Sequence, residues 1–256
     1  MSDPRPGFEE SAHKLAFLVE QSVKTAVAGE EKVAVAFSGG LDSSVVVACA
    51  KKYVKTVGCA AFSRGSGDET RARDAALALD IELVTTTITN ENISKELAGI
   101  ELPFEPTLMD RSLWCLYSLV SKSARNAGTR VILLGQLADE LFGGYAKYEE
   151  AVRVRGEETA RSIMEDDVRE YARRGRIRDF GACTPWVQPK LPFEENQVMD
   201  FGLSLPVSFK IREGVRKAVL RRAAIVVGVP EWLASTAKKA AQYSSGVQKL
   251  VANSPF

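Results

Sequence analysis

The sequence predicts an α/β fold: a doubly wound parallel sheet with a helical C-terminal extension. Two observations lead to this prediction. Over the first half of the chain, short runs of small and β-branched apolar residues alternate with stretches of helical periodicity. From Tyr148 onward this alternation stops, and the sequence becomes rich in Arg, Lys, Glu and Ala. We therefore divide the chain into residues 1–148, an α/β domain with an N-terminal helix, and residues 149–256, a helical part expected to complete the same unit.

The predicted elements follow one another in a regular order. An amphipathic helix over residues 8–28 should pack its apolar side on the sheet. Strands and helices then alternate, because apolar runs are separated by turn residues and helix caps. The predicted strands are residues 33–37, 56–62, 81–84 and 130–134. The predicted helices are residues 41–53, 68–79 and 109–127, and charged helices are predicted within residues 150–174.

Composition limits the class of protein. The chain has 256 residues, is 45% apolar and 26% charged, and carries a net charge of +1, so no global field attracts nucleic acid or an anionic membrane. The four cysteines form no C-x-x-C pair, which favours reduced, buried thiols. No apolar run approaches roughly 18 residues and no signal peptide is recognisable, so we expect a cytoplasmic protein. With His13 as the single histidine, a Ser-His-Asp triad or a histidine zinc site is not expected.

Residues 33–44, V-A-V-A-F-S-G-G-L-D-S-S, have the features of an anion site. A short strand runs through a glycine turn into a helix, and the helix N-terminus offers unpaired N–H groups. The glycines let the backbone approach a ligand, and the serines add donors. Phosphate or pyrophosphate is the expected ligand, and a turn without a ligand is the alternative. The candidate phosphate-binding residues are Ser38, Gly39, Gly40, Leu41, Asp42, Ser43 and Ser44.

The spacing within this loop differs from two common phosphate motifs. A Walker A loop needs G-x-x-x-x-G-K-S/T and a dinucleotide fold needs G-x-G-x-x-G, and neither is present. The loop instead resembles the S-G-G-x-D-S signature of the ATP pyrophosphatase (PP-loop) superfamily. This resemblance implies the adenine-nucleotide alpha-hydrolase type of sheet, a loop that holds the pyrophosphate of ATP, and a role for Asp42 in binding Mg²⁺.

A second polar loop, residues 135–145, follows the fourth predicted strand and reads G-Q-L-A-D-E-L-F-G-G-Y. Because the carboxyl ends of parallel strands face one crevice, we expect Asp139 to lie beside Asp42. Two carboxylates that point at a polyphosphate need a hard cation between them, and Mg²⁺ fits this requirement. The alternative is a helix start with two acidic residues near the dipole.

The second loop narrows the resemblance. It is similar to the G-x-G-A-D-E-L-F-G-G-Y block in the synthetase domain of asparagine synthetase B and of β-lactam synthetase. Weaker similarity at residues 186–193, W-V-Q-P-K-L-P-F, and at segments within 205–246 extends the resemblance over about residues 10–250. The first two motifs are highly specific, and the later ones support them.

The resemblance implies a two-step reaction with ATP and Mg²⁺ as cofactors. A substrate carboxylate, with aspartate as one candidate, attacks the α-phosphorus and releases pyrophosphate; ammonia then displaces AMP from the acyl-adenylate and gives an amide. A lysine should neutralise the α-phosphate, and Lys239 is our choice over Lys238, with a solvated helix end as the alternative. Adenine and ribose are expected near the ends of the second and fourth strands. These nucleotide-binding candidates are Phe62, Ser63, Leu134 and Gly135.

Three departures from the family pattern affect the nitrogen chemistry. Gln136 stands where asparagine synthetases often carry glutamate, and Gln188 replaces a later glutamate. Because a glutamine cannot accept a proton as a carboxylate can, Glu140, Glu195 or the substrate itself would serve as base. Ser2 stands where full-length asparagine synthetases have the cysteine of a glutaminase domain. We therefore expect free ammonia, another amine or a separate glutaminase subunit as the nitrogen source.

Two other functions stay open at this point. A tRNA-modifying PP-loop enzyme is possible because an arginine cluster could bind a polyanion, although the chain has no basic excess and no RNA-binding signature. A non-catalytic subunit that binds ATP or AMP is the other alternative, motivated by the two glutamine replacements. A homo-oligomer is compatible with each hypothesis, and no membrane partner is expected. The arginine cluster that could bind a polyanion consists of Arg173, Arg174, Arg176 and Arg178.

Overall fold

A parallel sheet of five strands forms the centre of the protein. The structure, a computed structural model, describes residues 7–64, 66–236 and 245–254. The strand order is β3-β2-β1-β4-β5, and every pair in this sheet is parallel. The strands are β1 (Lys32–Ala36), β2 (Lys55–Ser63), β3 (Glu82–Ile88), β4 (Val131–Leu133) and β5 (Gln188–Lys190).

Helices connect these strands and continue beyond them. A π-helical turn (Tyr171–Gly175) joins two helices, and a small antiparallel hairpin, β6 (Ile211–Arg212) and β7 (Val215–Arg216), precedes another. The helices are α1 (Phe8–Ala26), α2 (Leu41–Ala50), α3 (Gly67–Ala78), α4 (Asn90–Ala98), α5 (Leu108–Asn126), α6 (Ala138–Phe142), α7 (Ala146–Arg155), α8 (Glu157–Glu170), α9 (Arg176–Cys183), α10 (Asn196–Ser204), α11 (Val207–Lys210), α12 (Ala218–Val227), α13 (Glu231–Ala234) and α14 (Val247–Ala252).

The sheet is covered on both faces, which confirms the predicted doubly wound arrangement. Along β2, Ala60 and Phe62 pack with Ala72 of α3 in a small separate cluster. Cys59 and Ala61 belong instead to the main hydrophobic core. Because successive residues of a strand point to opposite faces, these two clusters lie on opposite sides of the sheet.

The part after residue 148 is mainly helical, as predicted, but it also contributes a strand to the central sheet, which the sequence analysis did not predict. β5 pairs with β4 and places Gln188 beside Val131 and Pro189 beside Ile132. The strand has three residues and contains a proline, which a strand tolerates at the edge of a sheet. A strand this short, with a proline, has no alternating pattern in the sequence from which it could be predicted. The division of the chain near residue 148 stays a prediction, with the qualification that β5 completes the sheet of the first part.

The first helix differs from expectation in what it packs against. Its apolar side, which includes Leu15, Val19 and Val23, is buried as predicted. The main partners of α1 are α12, α2 and α10, rather than the sheet itself. The N-terminal helix therefore holds the later helices against the α/β core.

The cysteines are buried and the single histidine is exposed. All four cysteines are buried and free, as predicted, and burial raises the pKa of each thiol to about 12. His13 lies on the exposed side of α1. None of the helices in the described ranges is both long and apolar enough to cross a membrane.

The strand order creates a crevice at the centre of the sheet. From β1 the chain moves outward through β2 to β3, and it then returns to the other side of β1 to form β4. The loops that follow β1 and β4 therefore diverge, and ligands of doubly wound sheets bind at this kind of switch point. These two loops are the ones that the sequence singles out.

Candidate active site

A cavity of about 990 Å³ lies at the carboxyl ends of β1, β2 and β4. Its volume is at the upper end of the range of about 300–1,000 Å³ that is typical of ligand pockets. The two polar loops form one wall, and residues of α5, the π-helical turn and α9 form the opposite wall. The predicted residues that line the cavity are Ser38, Gly40, Leu41, Asp42, Ser43, Phe62, Gly135, Gln136, Asp139 and Glu140.

The two loops touch each other inside this cavity. A Cβ added at Gly135 would lie 3.1 Å from the Cβ of Asp42, so a side chain there would push the two loops apart by a few tenths of an ångström. Gly39 has a φ of +67°, and a Cβ there would lie 2.8 Å from the Cα of Ala72 in α3. The glycines therefore bring the first loop into contact with its neighbours on two sides.

Several other predicted site residues lie behind the cavity surface. Ser44 and Leu134 are fully buried, and the amide of Leu134 donates to the carbonyl of Lys190 in β5. Ser63 does not line the cavity; its amide donates to the carbonyl of Ser245 at 2.8 Å. Gly39 contributes its backbone turn rather than cavity surface. Lys238 and Lys239 lie outside the described residues.

The ammonium of Lys217 lies between the two aspartates, a contact that sequence reasoning missed. Its Nζ is 2.6 Å from each carboxylate oxygen of Asp42 and 2.7 Å from Oδ1 of Asp139. Burial alone would lower the pKa of Lys217, but Asp139 and Asp42 outweigh burial and raise it, so the lysine is charged. The prediction that Asp42 and Asp139 lie together is confirmed, with a lysine as the cation between them.

The double glycine of the second loop is explained by this ion cluster. Gly143 has a φ of +77°, which favours glycine. A Cβ at Gly144 would overlap the Oδ1 atom of Asp139 and the Cε atom of Lys217. The chain therefore needs glycine at position 144 so that the lysine can reach the aspartate.

Glu140 follows Asp139 in the first turn of α6 and is buried in the cavity wall. Tyr145 donates a hydrogen bond to its Oε1 at 2.7 Å. Burial raises the pKa of Glu140 to about 7, and the charge of Asp139 adds to this rise. The Tyr145 hydrogen bond and the charge of Lys217 act in the opposite direction. A carboxyl group with this pKa can exchange a proton near neutral pH.

Gln136 is held by a second network on the opposite wall, which sequence reasoning also missed. Its Nε2 donates to Oδ2 of Asp179 at 2.9 Å, and Asp179 is fully buried. Tyr171 donates to the same oxygen at 3.0 Å, and Nε of Arg178 donates to the other carboxylate oxygen at 2.8 Å. Arg178 also pairs with Asp110 at 3.0 Å.

The arginines proposed as a polyanion site are all paired with acidic side chains. Arg178 is buried and Arg174 pairs with Asp110 at 3.2 Å, so both belong to the cavity wall. Arg173 pairs with Glu170, and Arg176 pairs with Glu194. Arg178 is not exposed to a polyanion at the surface, because its helix turns that side chain inward.

The sequence model of the asparagine synthase family matches residues 14–188 and 186–253. The chain belongs to the asparagine synthase family. A putative asparagine synthetase [glutamine-hydrolyzing] 1 of Methanocaldococcus jannaschii is 30% identical over 282 aligned positions, which cover 95% of this chain and 51% of that protein. Asparagine synthetase [glutamine-hydrolyzing] 1 of Bacillus subtilis is 34% identical over 54% of this chain and 22% of that protein.

The chain thus spans about half the length, or less, of the curated relatives it matches. A solved structure of NMN synthetase from Francisella tularensis is also similar, with a TM-score of 0.48 and 16% identity over 93% of this chain and 78% of that chain.

The asparagine synthase block also explains an unusual backbone conformation. Leu137 stands where the block G-x-G-A-D-E-L-F-G-G-Y has its second glycine, and it keeps a φ of +74°. This left-handed conformation is unfavourable for a leucine by about 1–2 kcal/mol. Because Leu137 is buried in the main core, its packing offsets this cost.

The first prediction concerns Gly144. Gly144→Ala should lower the free energy of unfolding by about 3 kcal/mol, because the new methyl group overlaps Asp139 and Lys217. Chemical denaturation followed by circular dichroism measures this change. Gly67→Ala is the matched control, since a Cβ there meets nothing within 4 Å. Equal stability of the two variants would contradict the proposed close packing.

The second prediction concerns Glu140. Its pKa is raised in the folded chain, so its stabilising contribution is present below the ordinary value of 4.5 and is lost as pH rises through about 7. Glu140→Gln removes this loss. The difference in unfolding free energy, variant minus wild type, should therefore increase by about 3 kcal/mol between pH 5 and pH 8. The exposed Glu150→Gln serves as control, and parallel pH profiles for Glu140→Gln and wild type would refute the assignment.

Proposed function

We propose that the chain is an ATP-dependent amide ligase that forms AMP and pyrophosphate. In this proposal a substrate carboxylate is activated as an acyl-adenylate, and ammonia or another amine then takes the acyl group. The observation that carries the proposal is the ion cluster of Lys217, Asp42 and Asp139, which lies in the cavity where the two family loops meet.

The nucleotide would bind along the loop wall of the cavity. The phosphates would lie at Ser38 and Gly40 and at the N-terminus of α2, where backbone N–H groups favour anions. The adenine would lie near Phe62 of β2 and Gly135 after β4, both of which line the cavity. This placement agrees with the general position of ligands at a switch point.

Asp42 and Asp139 would supply carboxylate oxygens to a magnesium ion, which would share them with the ammonium of Lys217. Within the described ranges, no group of three or more His, Cys, Asp and Glu side chains converges on one point. Mg²⁺ commonly takes only one or two protein carboxylates together with phosphate oxygens and water, however, and Asp42 and Asp139 provide two. When bound, Mg²⁺ would neutralise charge on the β- and γ-phosphates at these two aspartates.

The first step would rely on cations of the chain. A carboxylate oxygen of the substrate attacks the α-phosphorus, and the bond between this phosphorus and the pyrophosphate oxygen breaks. Lys217 and Arg221, which both line the cavity, would stabilise the charge that develops on pyrophosphate. Lys239, with Lys238 as the alternative, remains our proposal for the cation at the α-phosphate. In support, the described residues on either side of that segment, Thr236 and Ser245, line the same cavity.

The second step would use Glu140 as base. The nitrogen of the amine attacks the acyl carbon, the bond to AMP breaks, and the proton of the amine passes to Glu140. The raised pKa of Glu140, caused mainly by burial, suits proton exchange near neutral pH. Glutamine-hydrolyzing asparagine synthetases are among the relatives, so aspartate is the first acceptor to test. A separate glutaminase subunit remains a possible source of ammonia.

The third prediction tests the activation step. The chain, incubated with ATP, Mg²⁺, ammonium and a panel of carboxylates that includes aspartate, should release pyrophosphate and AMP in equal amounts. Lys217→Met should lower kcat/KM for pyrophosphate release by about 100-fold, because it removes the charge that faces the leaving group and that holds Asp42 and Asp139 together. Lys32→Met is the control, since Lys32 bonds to the carbonyl of Ala127 away from the cavity. Nucleotide binding without turnover of any carboxylate would favour the non-catalytic alternative.

The fourth prediction separates the two steps. In Glu140→Gln, the rate of amide formation from a preformed acyl-adenylate should fall by about 100-fold, because the general base is lost. In the wild type this rate should rise with pH through about 7, since Glu140 must be deprotonated to accept a proton. Rapid-quench measurement of AMP release with hydroxylamine or ammonia gives both profiles. A wild-type pH profile retained by Glu140→Gln would assign the base to another group.

A further inference from the structure

The pairing of Gln136 with Asp179 carries an inference that rests on the proposed function and extends it to the amine step. Gln136 lines the cavity, whereas Asp179 is fully buried behind it. The contact between them is a hydrogen bond from Nε2 of Gln136 to Oδ2 of Asp179, with a length of 2.9 Å. The two residues come from different elements, the loop after β4 and helix α9.

The chemistry of this pair fixes which end of the glutamine amide faces the ligand. A carboxylate only accepts hydrogen bonds, so the NH₂ group of Gln136 must point toward Asp179. The carboxylate itself is held on both sides, by Tyr171 at Oδ2 and by Arg178 at Oδ1. Because the NH₂ group faces Asp179, Oε1 is the amide atom of Gln136 that is left to accept a hydrogen bond from a ligand in the cavity that Gln136 lines.

We propose that Asp179 is a positioning residue that orients the amide of Gln136, so that Oε1 accepts a hydrogen bond from the attacking amine. Such a bond holds the amine with its lone pair directed at the acyl carbon. As the C–N bond forms and the C–O bond to AMP breaks, the excess proton leaves to Glu140, which lines the same cavity. Gln136 binds and orients the nucleophile, and it does not need to accept the proton.

The same pair explains why glutamine fits at position 136 of this chain. A glutamate there would place its carboxylate against that of Asp179, and two carboxylates in hydrogen-bonding contact cannot both be ionised. A glutamine and an aspartate, or a glutamate and an asparagine, each provide one donor and one acceptor across the contact. The negative charge of this contact lies on α9 in this protein rather than on the loop.

The test uses the ratio of amide to pyrophosphate formed from ATP, Mg²⁺, the accepted carboxylate and ammonium. In Asp179→Asn, the asparagine can donate to Oε1 of Gln136, so the glutamine turns its NH₂ group toward the amine. The ratio should fall at least tenfold, and the KM for ammonium should rise. Gln136→Glu should lower the ratio similarly, because two carboxylates now meet. The double variant Gln136→Glu with Asp179→Asn should recover most of the lost ratio.

Three further measurements distinguish a general loss of structure from a loss of the orientation of Gln136. Thr184→Val removes the hydrogen bond to the carbonyl of Phe180 at the end of α9, the helix that carries Asp179, outside the cavity lining, so it should leave the ratio unchanged. Gln136→Met removes Oε1 without adding charge, and its ratio should fall even if Asp179→Asn does not fold. Thermal unfolding of each variant reports whether it is folded.

Three results would overturn the inference. Wild-type pyrophosphate release together with an unchanged product ratio in folded Asp179→Asn or in Gln136→Met would refute the role of this pair alone. The role of the pair would also be refuted if the losses of product ratio in the two single variants multiplied in the double variant. A wild-type chain that releases no pyrophosphate with any carboxylate would refute the proposed function, and the inference with it.

Discussion

The ion cluster of Lys217, Asp42 and Asp139 is the interaction on which the site depends. Without the lysine, two carboxylates would face each other in a partly buried cavity, and removal of one partner of a buried pair typically costs about 3–5 kcal/mol. The ammonium of Lys217 compensates both charges, with Nζ 2.6 Å from Oδ1 of Asp42 and 2.7 Å from Oδ1 of Asp139. One side chain therefore fixes the first turn of α2 and the first turn of α6 relative to each other, and Gly144 leaves the space that it needs.

The β6–β7 hairpin and the helices around α12 position Lys217. Lys217 follows the β6–β7 hairpin and precedes α12, with a left-handed φ of +58°. Helix α12 packs against α1, α2 and α6, so the N-terminal helix acts on the site through α12 rather than through the sheet. Arg216, the residue before Lys217, donates to the carbonyl of Gly144 and so ties the hairpin to the second loop. A residue far along the chain is thereby set between two loops of the sheet.

The sequence predicted those features whose causes are local. Apolar runs, glycine turns and helix caps lie within a few residues of one another, so four of the five strands and both loops could be recognised. Strand β5 was missed because three residues with a proline carry no periodic signal. Lys217 was missed because its partner Asp42 is 175 residues away, although the lysine lies in a segment with family resemblance. The contact of Gln136 with Asp179 was missed for the same reason, since no local pattern links a loop to α9.

The cavity can be understood as two walls with different chemical tasks. The loop wall holds Asp42 and Asp139, and Lys217 compensates their charge. The opposite wall holds Gln136 through a buried carboxylate that is itself paired with Arg178. Burying such an ion pair costs free energy that apolar side chains of similar volume would save, so ion pairs of this kind are poor devices for stability alone. An amide held in one orientation at the cavity surface is of use only if a ligand with a hydrogen-bond donor meets it there. Under the proposed function, the attacking amine is that ligand.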